Sequence, residues 1–432
     1  MMGPTAWTLL GKIVTALSAV VANALLARYL APADVGRFFL VQSTVLVLSV
    51  VVQFGVGQAI VRHVAQANKT ISERNSAIVA AIVLPSGIAV ILSSLAIALE
   101  SSKLLVQWKE LGIAPWMVCV WTSAQAISFV SSEIFRGLSD FRYASLFGGA
   151  IAGMVSVILL SLFPEFSDTF SLRQAIGIIC LAYITSTVYA LASLVRKCRI
   201  SHRNLVSIPL GVLLRSGLPI TWTNLLVVAL YQVDIWLVGV FRPGEEVALY
   251  GAATRLASII TLIASIPYGV LPPVIAVCHA EDRTQDLERA CRSSATLTFA
   301  AAFPVALVLV IFSESILGLF FGEFYRSASF AMAFLIGGHV LNAATGVRGY
   351  ALIITGHERT QFLLTLAGGG VTALLCAFAA NMGSIGLVAA AAMAGMIFQC
   401  LLELFYVGKI LGVRTYMDFE LLHTFPRIWR DS

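Results

Sequence analysis

The sequence predicts an all-α polytopic membrane protein, with twelve transmembrane helices in two six-helix lobes related by a parallel internal repeat. Of the 432 residues, 59% are hydrophobic and only 12% are charged, and the mean hydropathy is +0.91. A soluble domain carries about 25% charged residues, so lipid must solvate much of this chain. Because lipid offers no hydrogen-bond partner to a bare backbone, the spans must be helical.

Twelve apolar stretches are long enough to cross about 30 Å of hydrocarbon, which takes about 20 helical residues. They cover residues 7–29, 38–60, 77–99, 115–135, 143–163, 174–195, 218–240, 247–278, 296–321, 328–355, 361–382 and 385–411. The connecting loops are short, which excludes a sizeable soluble domain between spans.

The predicted organisation is an N-terminal lobe (1–200), a C-terminal lobe (201–411) and a cytoplasmic tail (412–432). The basic stretch at 196–215 would link the lobes. Apolar residues of the tail, which are Phe419, Leu422, Phe425 and Trp429, fit either a helix on the membrane surface or a solvated tail.

The distribution of Lys and Arg predicts the orientation, since cytoplasmic loops carry an excess of both. With a cytoplasmic N-terminus, 19 of the 28 Lys and Arg residues lie on the inner side and 7 on the outer side. Arg255 and Arg348 lie within spans. Both termini are therefore expected in the cytoplasm. This excess of inner Lys and Arg explains the basic pI of about 9.0 without a nucleic-acid partner.

The sequence also contains an internal repeat. The stretch 30–38 (LAPADVGRF) follows the first span, and 241–250 (FRPGEEVALY) follows the seventh. Both contain a proline turn, an acidic residue, a valine and an aromatic residue. A second echo links 136–139 (RGLS), before the fifth span, with 355–358 (TGHE), before the eleventh. Both echoes are six spans apart, and an even number of spans keeps the orientation, so the repeat is parallel.

Ionisable residues inside spans are costly and usually face a cavity or a partner. Arg255 lies about 12 Å below the outer start of the eighth span at 1.5 Å per residue. Its forked guanidinium suits a diphosphate, and an ion pair with Asp234 of the seventh span is the alternative. Asp234 could also carry a coupling proton or cation.

The tenth span holds His339 and Asn342, which share a helix face, and Arg348 near its inner end. Interhelical hydrogen bonds are the alternative to a cavity role for His339 and Asn342. Arg348 is either a cavity cation or a snorkelling anchor. Glu403 of the twelfth span either lines a cavity or pairs with Arg348.

Further candidates lie in the first, second and seventh spans. Lys12 could contact an entering diphosphate or snorkel to the inner surface. Asn23, Gln53 and Asn224 could touch sugar hydroxyls or hold helices together. In the eighth span Pro267, Pro272 and Pro273 are expected to bend the helix.

No cofactor, metal or catalytic residue is expected. The seven cysteines form no CxxC pair, and we interpret them as small packing residues. The chain has no Gly-rich loop with a lysine that would bind ATP, so we expect a transporter without an ATPase rather than an enzyme.

Four segments resemble a known family. They are 25–65 (LLARYLAPADVGRFFLVQSTVLVLSVVVQFGVGQAIVRHVA), 231–256 (YQVDIWLVGVFRPGEEVALYGAATRL), 354–375 (ITGHERTQFLLTLAGGGVTALL) and 382–395 (MGSIGLVAAAAMAG). The resemblance is to O-antigen-type polysaccharide-biosynthesis flippases of the multidrug/oligosaccharidyl-lipid/polysaccharide exporter superfamily. It implies two six-helix bundles around a V-shaped cavity. It also implies flipping of an undecaprenyl-diphosphate-linked oligosaccharide for O-antigen, capsule or exopolysaccharide assembly, alongside a polymerase or glycosyltransferases.

Three alternatives remain open. A cation-coupled multidrug exporter of the same superfamily would keep acidic residues deep in its first lobe, and the first two spans hold none. The lipid II flippases of that superfamily usually have two further spans. A non-transporting scaffold of a polysaccharide assembly complex is the third alternative, although the in-span Arg and Asp residues argue against it.

Overall fold

The computed structural model describes residues 3–64, 71–98, 114–162, 170–198 and 210–418. Every regular element in these ranges is a helix. Eleven of the described helices are long and apolar enough to cross a membrane, and they match eleven of the predicted spans. The remaining span, the fourth, is the helix Pro115–Gly137. The prediction of an all-α protein built from membrane-spanning helices is therefore confirmed.

The chain divides into two compact units, Met1–Ala229 and Leu230–Ser432. The predicted lobe boundary, between residues 200 and 201, lies outside the described residues. The helices that begin in the first unit are α1 (Pro4–Tyr29), α2 (Pro32–Gln53), α3 (Val56–Val64), α4 (Ile71–Ala98), α5 (Pro115–Gly137), α6 (Phe141–Ser145), α7 (Ile151–Leu162), α8 (Leu172–Cys198) and α9 (Leu210–Phe241). A π-helical segment, Leu146–Ala150, joins α6 to α7, and α9 continues into the second unit.

The helix α5 is the centre of the first unit. It packs against α2, α3, α4 and α8. Its Trp121, Val130, Ile134 and Phe135 are at most 1% exposed. A helix surrounded by other helices can carry Ser and Thr, because their hydroxyls find partners there. Thus Ser128 donates to the Phe147 carbonyl at 3.0 Å. This polar content explains why α5 is not among the eleven strongly apolar helices.

The second unit contains the end of α9 and eight further helices. They are α10 (Gly244–Ala264), α11 (Leu271–Ala280), α12 (Thr284–Ile311), α13 (Ser313–Phe321), α14 (Ser329–Ala344), α15 (Arg348–Ile354), α16 (Glu358–Met382) and α17 (Ile385–Leu411). The 3-10 segments Pro267–Gly269 and Glu323–Ala328 precede α11 and α14. The central helix is α14, which packs against α10, α12 and α17. It belongs to the tenth span, so the fourth span of each half is central.

Five spans that the sequence predicts as continuous helices are interrupted in the structure. The second breaks at Phe54 and Gly55, the fifth is kinked at Gly149, the eighth breaks after Ala264, the ninth at Phe312 and the tenth at 345–347. The predicted single eighth helix, 247–278, is therefore wrong. Pro267 lies in the 3-10 segment, and Pro272 and Pro273 lie in the first turn of α11, where a missing N–H costs nothing.

The breaks in the second and eighth spans fall at matching positions of the repeat. When Phe38 is matched to Tyr250, Phe54 is matched to Ile266, since each pair is sixteen residues apart. The helix α2 ends at Gln53, and α10 ends at Ala264. The two halves therefore share a central fourth span and an interruption of the second span, as a parallel repeat of six spans predicts.

Candidate functional site

Two groups of ionisable side chains lie within the spans of the second unit. The first is built on α9 and α10. The Tyr250 hydroxyl donates to Asp234 Oδ2 at 2.7 Å, and the backbone N–H of Ile235 donates to Asp234 Oδ1 at 2.8 Å. Tyr250 is fully buried, whereas Asp234 and Arg255 are half-buried. Arg255 is close enough to act electrostatically on Asp234. The structure therefore brings Asp234 and Arg255 into one site.

Sequence reasoning did not single out Tyr250, the hydrogen-bond partner of Asp234. The signal was present in the repeat, where Tyr250 occupies the aromatic position that Phe38 holds in the first half. Asn23 lies nine residues before Pro32, and Asp234 lies nine residues before Pro243. The first half thus places an amide and a phenyl ring where the second half places a carboxylate and a phenol. Only the second half can change its charge at these positions.

The second group surrounds an ion pair between α15 and α17. Arg348 Nε lies 2.7 Å from Glu403 Oε2, and the two side chains are 6% and 4% exposed. The other carboxylate oxygen accepts from Gln361 Nε2 at 2.8 Å and from Gln399 Nε2 at 3.0 Å. Glu403 Oε1 therefore accepts two hydrogen bonds and Oε2 is ion-paired with Arg348, which compensates the buried charge. The pairing with Arg348 was one of the two alternatives that the sequence left open for Glu403.

The rest of the Arg348 guanidinium is also occupied. One terminal nitrogen donates to Asn342 Oδ1 at 2.7 Å and lies 3.0 Å from Cys400 Sγ. The other terminal nitrogen contacts the Thr345 hydroxyl and the Gly346 carbonyl. Arg348 is thus a charge-compensated, buried group in this conformation, and a ligand would have to displace a protein contact to reach it.

His339 and Asn342 share α14 but have different partners. The His339 Nδ1 lies 3.1 Å from the Thr261 hydroxyl of α10, which is an interhelical hydrogen bond. Asn342 instead holds Arg348. The structure therefore assigns Asn342 to the ion-pair group and His339 to the contact between α14 and α10.

The candidates of the first unit are dispersed along its helices. Lys12 is exposed on α1 and is close enough to Arg136 to interact electrostatically. Asn23 is buried at 2% exposure, and Gln53 and Asn224 are half-buried. Arg136 forms an ion pair with Glu133 one turn earlier, at 2.8 Å.

The ends of α9 and α10 carry an ion pair outside the spans. Arg242 donates to both carboxylate oxygens of Glu246, at 2.8 and 2.6 Å. These hydrogen bonds raise the pKa of Arg242. In the matching turn of the first half, Arg37 pairs with Asp34 at 3.1 Å. The acidic residue of the repeated turn therefore has an ion-pair role in both halves.

Within the described ranges, no group of three or more His, Cys, Asp or Glu side chains could hold a metal ion. The seven cysteines are free thiols, and all except Cys119 are buried.

Comparison with known proteins fits this architecture. The sequence pattern of a family described as "Polysaccharide biosynthesis protein" matches residues 4–279, and that of the MatE family matches 219–378. An inward-facing multidrug resistance MATE family transporter of the MOP superfamily superposes with a TM-score of 0.74 at 15% identity, over 94% of this chain and 98% of that chain. An inward closed structure of the lipid II flippase MurJ gives 0.73 at 14% identity, over 96% and 88% of the two chains.

A curated relative is the probable low-salt glycan biosynthesis flippase Agl15 of Haloferax volcanii, which is 23% identical over 120 residues. That alignment covers 28% of this chain and only 25% of the relative, so the chain matches about a quarter of the relative's length.

The fold is that of the multi-pass transporters of the MOP superfamily. The chain belongs to the polysaccharide biosynthesis protein family, whose pattern matches well over half of it.

Proposed function

We propose that this protein is a flippase that moves an undecaprenyl-diphosphate-linked oligosaccharide from the cytoplasmic to the outer leaflet by alternating access. The membrane is the bacterial inner membrane, and both termini are cytoplasmic. The glycan supplies O-antigen, capsule or exopolysaccharide assembly, and a polymerase or glycosyltransferases of that pathway act beside it. Membership of the polysaccharide biosynthesis family supports this proposal, as does the partial similarity to a glycan biosynthesis flippase.

The observation that carries the proposal is the in-span group of Arg255, Asp234 and Tyr250. A diphosphate needs a cation within the membrane while its lipid tail stays in hydrocarbon. The negative charge of Asp234 is stabilised by the Tyr250 hydroxyl and a backbone N–H. Asp234 therefore does not depend on Arg255 alone. A guanidinium matches two phosphate oxygens at once, which is why Arg255 is the proposed diphosphate contact.

The other predicted site residues have supporting roles in this proposal. Lys12 meets the diphosphate at the cytoplasmic end of α1, and the polar side chains Asn23, Gln53, Asn224 and His339 contact sugar hydroxyls. The Arg348–Glu403 pair, held by Asn342, is a second charged contact that opens when substrate enters. The division into lobes at residues 1–200 and 201–411, followed by a tail, belongs to the same proposal.

The test is reconstitution into liposomes with an undecaprenyl-diphosphate oligosaccharide, scoring access of an added glycan-modifying enzyme to the sugar. Arg255→Ala is expected to abolish flipping, and Arg255→Lys to restore only part of it, because the forked donor is lost. Arg289→Ala is the matched control, since Arg289 is 59% exposed. Normal flipping by Arg255→Ala would remove Arg255 from the mechanism.

A second candidate function is cation-coupled export of a small molecule, which the match to the MatE pattern favours. The same liposomes distinguish the two functions. Export of a cationic dye under a proton or sodium gradient, without flipping of lipid-linked glycan, would replace the flippase proposal. Asp234→Asn tests coupling in either case, because a proton carried by Asp234 predicts a pH profile that this variant flattens.

A further inference from the structure

The segment after α17 is an extended strap, residues 412–418, that is bound to two helices of the second unit. Val413 is 2% exposed, and Thr415 is fully buried. The Thr415 hydroxyl donates to the Thr345 carbonyl at 3.1 Å, and the Met417 N–H donates to the Ala344 carbonyl at 2.8 Å. The C-terminal strap therefore binds α14 at the point where the tenth span breaks.

The strap is also fastened to α12. The Asp418 carboxylate lies 2.8 Å from Arg292, and both side chains are about one-fifth exposed. The Thr296 hydroxyl accepts from the Asp418 N–H at 2.8 Å. The Arg292 guanidinium lies 5.3 Å from the centre of the Tyr416 ring, a cation–π distance. One end of the strap is thus held by charge, and the middle is held by hydrogen bonds to two backbone carbonyls of the tenth span.

The break of the tenth span leaves backbone carbonyls without intrahelical hydrogen-bond donors, and the strap binds two of these carbonyls. A helix leaves its last four carbonyls without intrahelical donors, and within a membrane protein these groups must find partners. The strap supplies partners for Ala344 and Thr345. Gly346, at φ +72°, makes the turn, and a Cβ there would lie 2.5 Å from the Thr415 carbonyl oxygen. The turn and the strap therefore fit each other closely.

Arg348 depends on the same break. Its guanidinium folds back to the carbonyls of Asn342 and Gly346, at 3.4 and 3.2 Å. In a continuous helix these carbonyls would instead accept from the N–H groups four residues later. A straight tenth span would thus withdraw two contacts that aim Arg348 at Glu403.

We propose that the C-terminal strap is a positioning device: it holds the tenth span broken and thereby keeps Arg348 paired with Glu403. Thr415 and Asp418 are positioning residues, since they touch neither member of the ion pair. Release of the strap leaves the carbonyls of Ala344 and Thr345 without their partners and favours a continuous helix. The ion-pair group then opens. This coupling is independent of which substrate the protein carries.

The experiment uses the full-length protein in lipid nanodiscs and measures the strap and the ion-pair group separately. Amide hydrogen exchange of peptides covering 412–418 reports the strap. Maleimide labelling of Cys400, which lies against Arg348 and is 2% exposed, reports the ion-pair group. Cys376 of α16, which is also buried, is the internal control thiol. Mass spectrometry resolves the two thiols without removing any native cysteine.

Asp418→Arg is expected to speed both strap exchange and Cys400 labelling by about tenfold, as fits the loss of one charge-assisted contact. The combined change Asp418→Arg with Arg292→Glu restores the pair and should return both readouts toward the wild type. Thr415→Val should act like Asp418→Arg, whereas Thr415→Ser keeps the hydroxyl and should not. Arg289→Glu is the control, because Arg289 lies on the same helix as Arg292 but is 59% exposed and pairs with the exposed Asp286.

Faster strap exchange with unchanged Cys400 labelling would overturn the proposal, because the strap would then be a passive tail. A strap that stays protected in Asp418→Arg combined with Thr415→Val would overturn it too, because these contacts would not be what holds it. Equal acceleration of Cys376 and Cys400 would show general unfolding in place of coupling, and would also count against it.

Discussion

At the scale of single residues, the buried ion pair of the second unit is stabilised by hydrogen bonds to its other atoms. Arg348 and Glu403 are almost fully buried, yet both carboxylate oxygens and the guanidinium have close partners. Two charges removed from water attract each other strongly, but that attraction offsets desolvation only when the remaining hydrogen bonds are made. The pair is therefore costly to break from one side.

Glu403→Gln is expected to destabilise the protein by about 3–5 kcal/mol, because Arg348 stays buried without its counter-charge. The double change Arg348→Met with Glu403→Met should recover most of this loss. Thermal unfolding in detergent measures both. Glu323→Gln is the control, since Glu323 is 79% exposed and its pair with Arg326 contributes less than about 1 kcal/mol. Equal effects at Glu403 and Glu323 would contradict this account.

Tyr250→Phe tests the Asp234 hydrogen bond by giving the second half the phenyl ring that Phe38 provides in the first. The loss of a hydrogen bond to a charged group should cost about 1.5–3 kcal/mol of stability. Tyr325→Phe is the matched control, because the buried Tyr325 hydroxyl has no hydrogen-bond partner among the described residues. That change should be neutral or slightly stabilising. If both variants lose the same stability, the hydrogen bond is not the cause.

The sequence identified the ionisable members of these groups, because charges stand out in apolar helices. It offered Glu403 as a partner of Arg348, and Asp234 as a partner of Arg255. It did not identify Gln361, Cys400 or Tyr250, which complete the groups. Their roles depend on how α10, α16 and α17 pack, and hydropathy says nothing about which faces meet.

At the scale of helices, hydropathy did not predict where the membrane spans are interrupted. An apolar window averages over about 20 residues, so a two-residue turn such as Phe54-Gly55 disappears inside it. Prolines signalled the break in the eighth span, although they predicted a bend in a helix that in fact ends. The ninth and tenth spans break at Phe312 and near Gly346, where no proline marks the place. Only the packing around each turn shows why the helix stops.

Gly55→Ala is expected to cost at least about 2 kcal/mol, because Gly55 has a φ of +61° and a Cβ there would lie 2.4 Å from the Gly217 carbonyl oxygen. Gly408→Ala in α17 is the comparison, since a Cβ at Gly408 meets nothing within 4 Å. It should be neutral or raise stability by up to about 1 kcal/mol. The unfolding midpoints of the two variants in detergent test this prediction. An unchanged midpoint for Gly55→Ala would mean that the turn does not require glycine.

At the scale of the whole molecule, the charge bias of the loops predicts one orientation. A fluorescent-protein fusion after residue 432 should fold and fluoresce in the cytoplasm. An alkaline phosphatase fusion within residues 100–113, between the third and fourth spans, should be active outside. The positive-inside bias is the physical reason. An active phosphatase at the C-terminus would invert the topology and, with it, the proposed direction of transport.

The internal repeat is visible in the sequence through two short echoes six spans apart. The structure adds that the fourth span of each half is central and that the second span of each half is interrupted. These features follow from which helices contact one another. Local sequence does not specify such contacts, so the echoes predicted the symmetry and left its packing open.

The two ionisable groups of the second unit, taken together as its ionisable site, have an electrical consequence. Asp234, Arg255, Arg348 and Glu403 contribute two positive and two negative formal charges, so the fully ionised group carries none in sum. A membrane voltage acts on net charge, at about 2.3 kcal/mol per elementary charge for each 100 mV. With the site in this form, voltage exerts little net force on it. Uptake of one proton, or binding of one anion, gives the site a net charge on which the voltage acts. Movement of the charged site across the membrane would then be measurable as an electrical current.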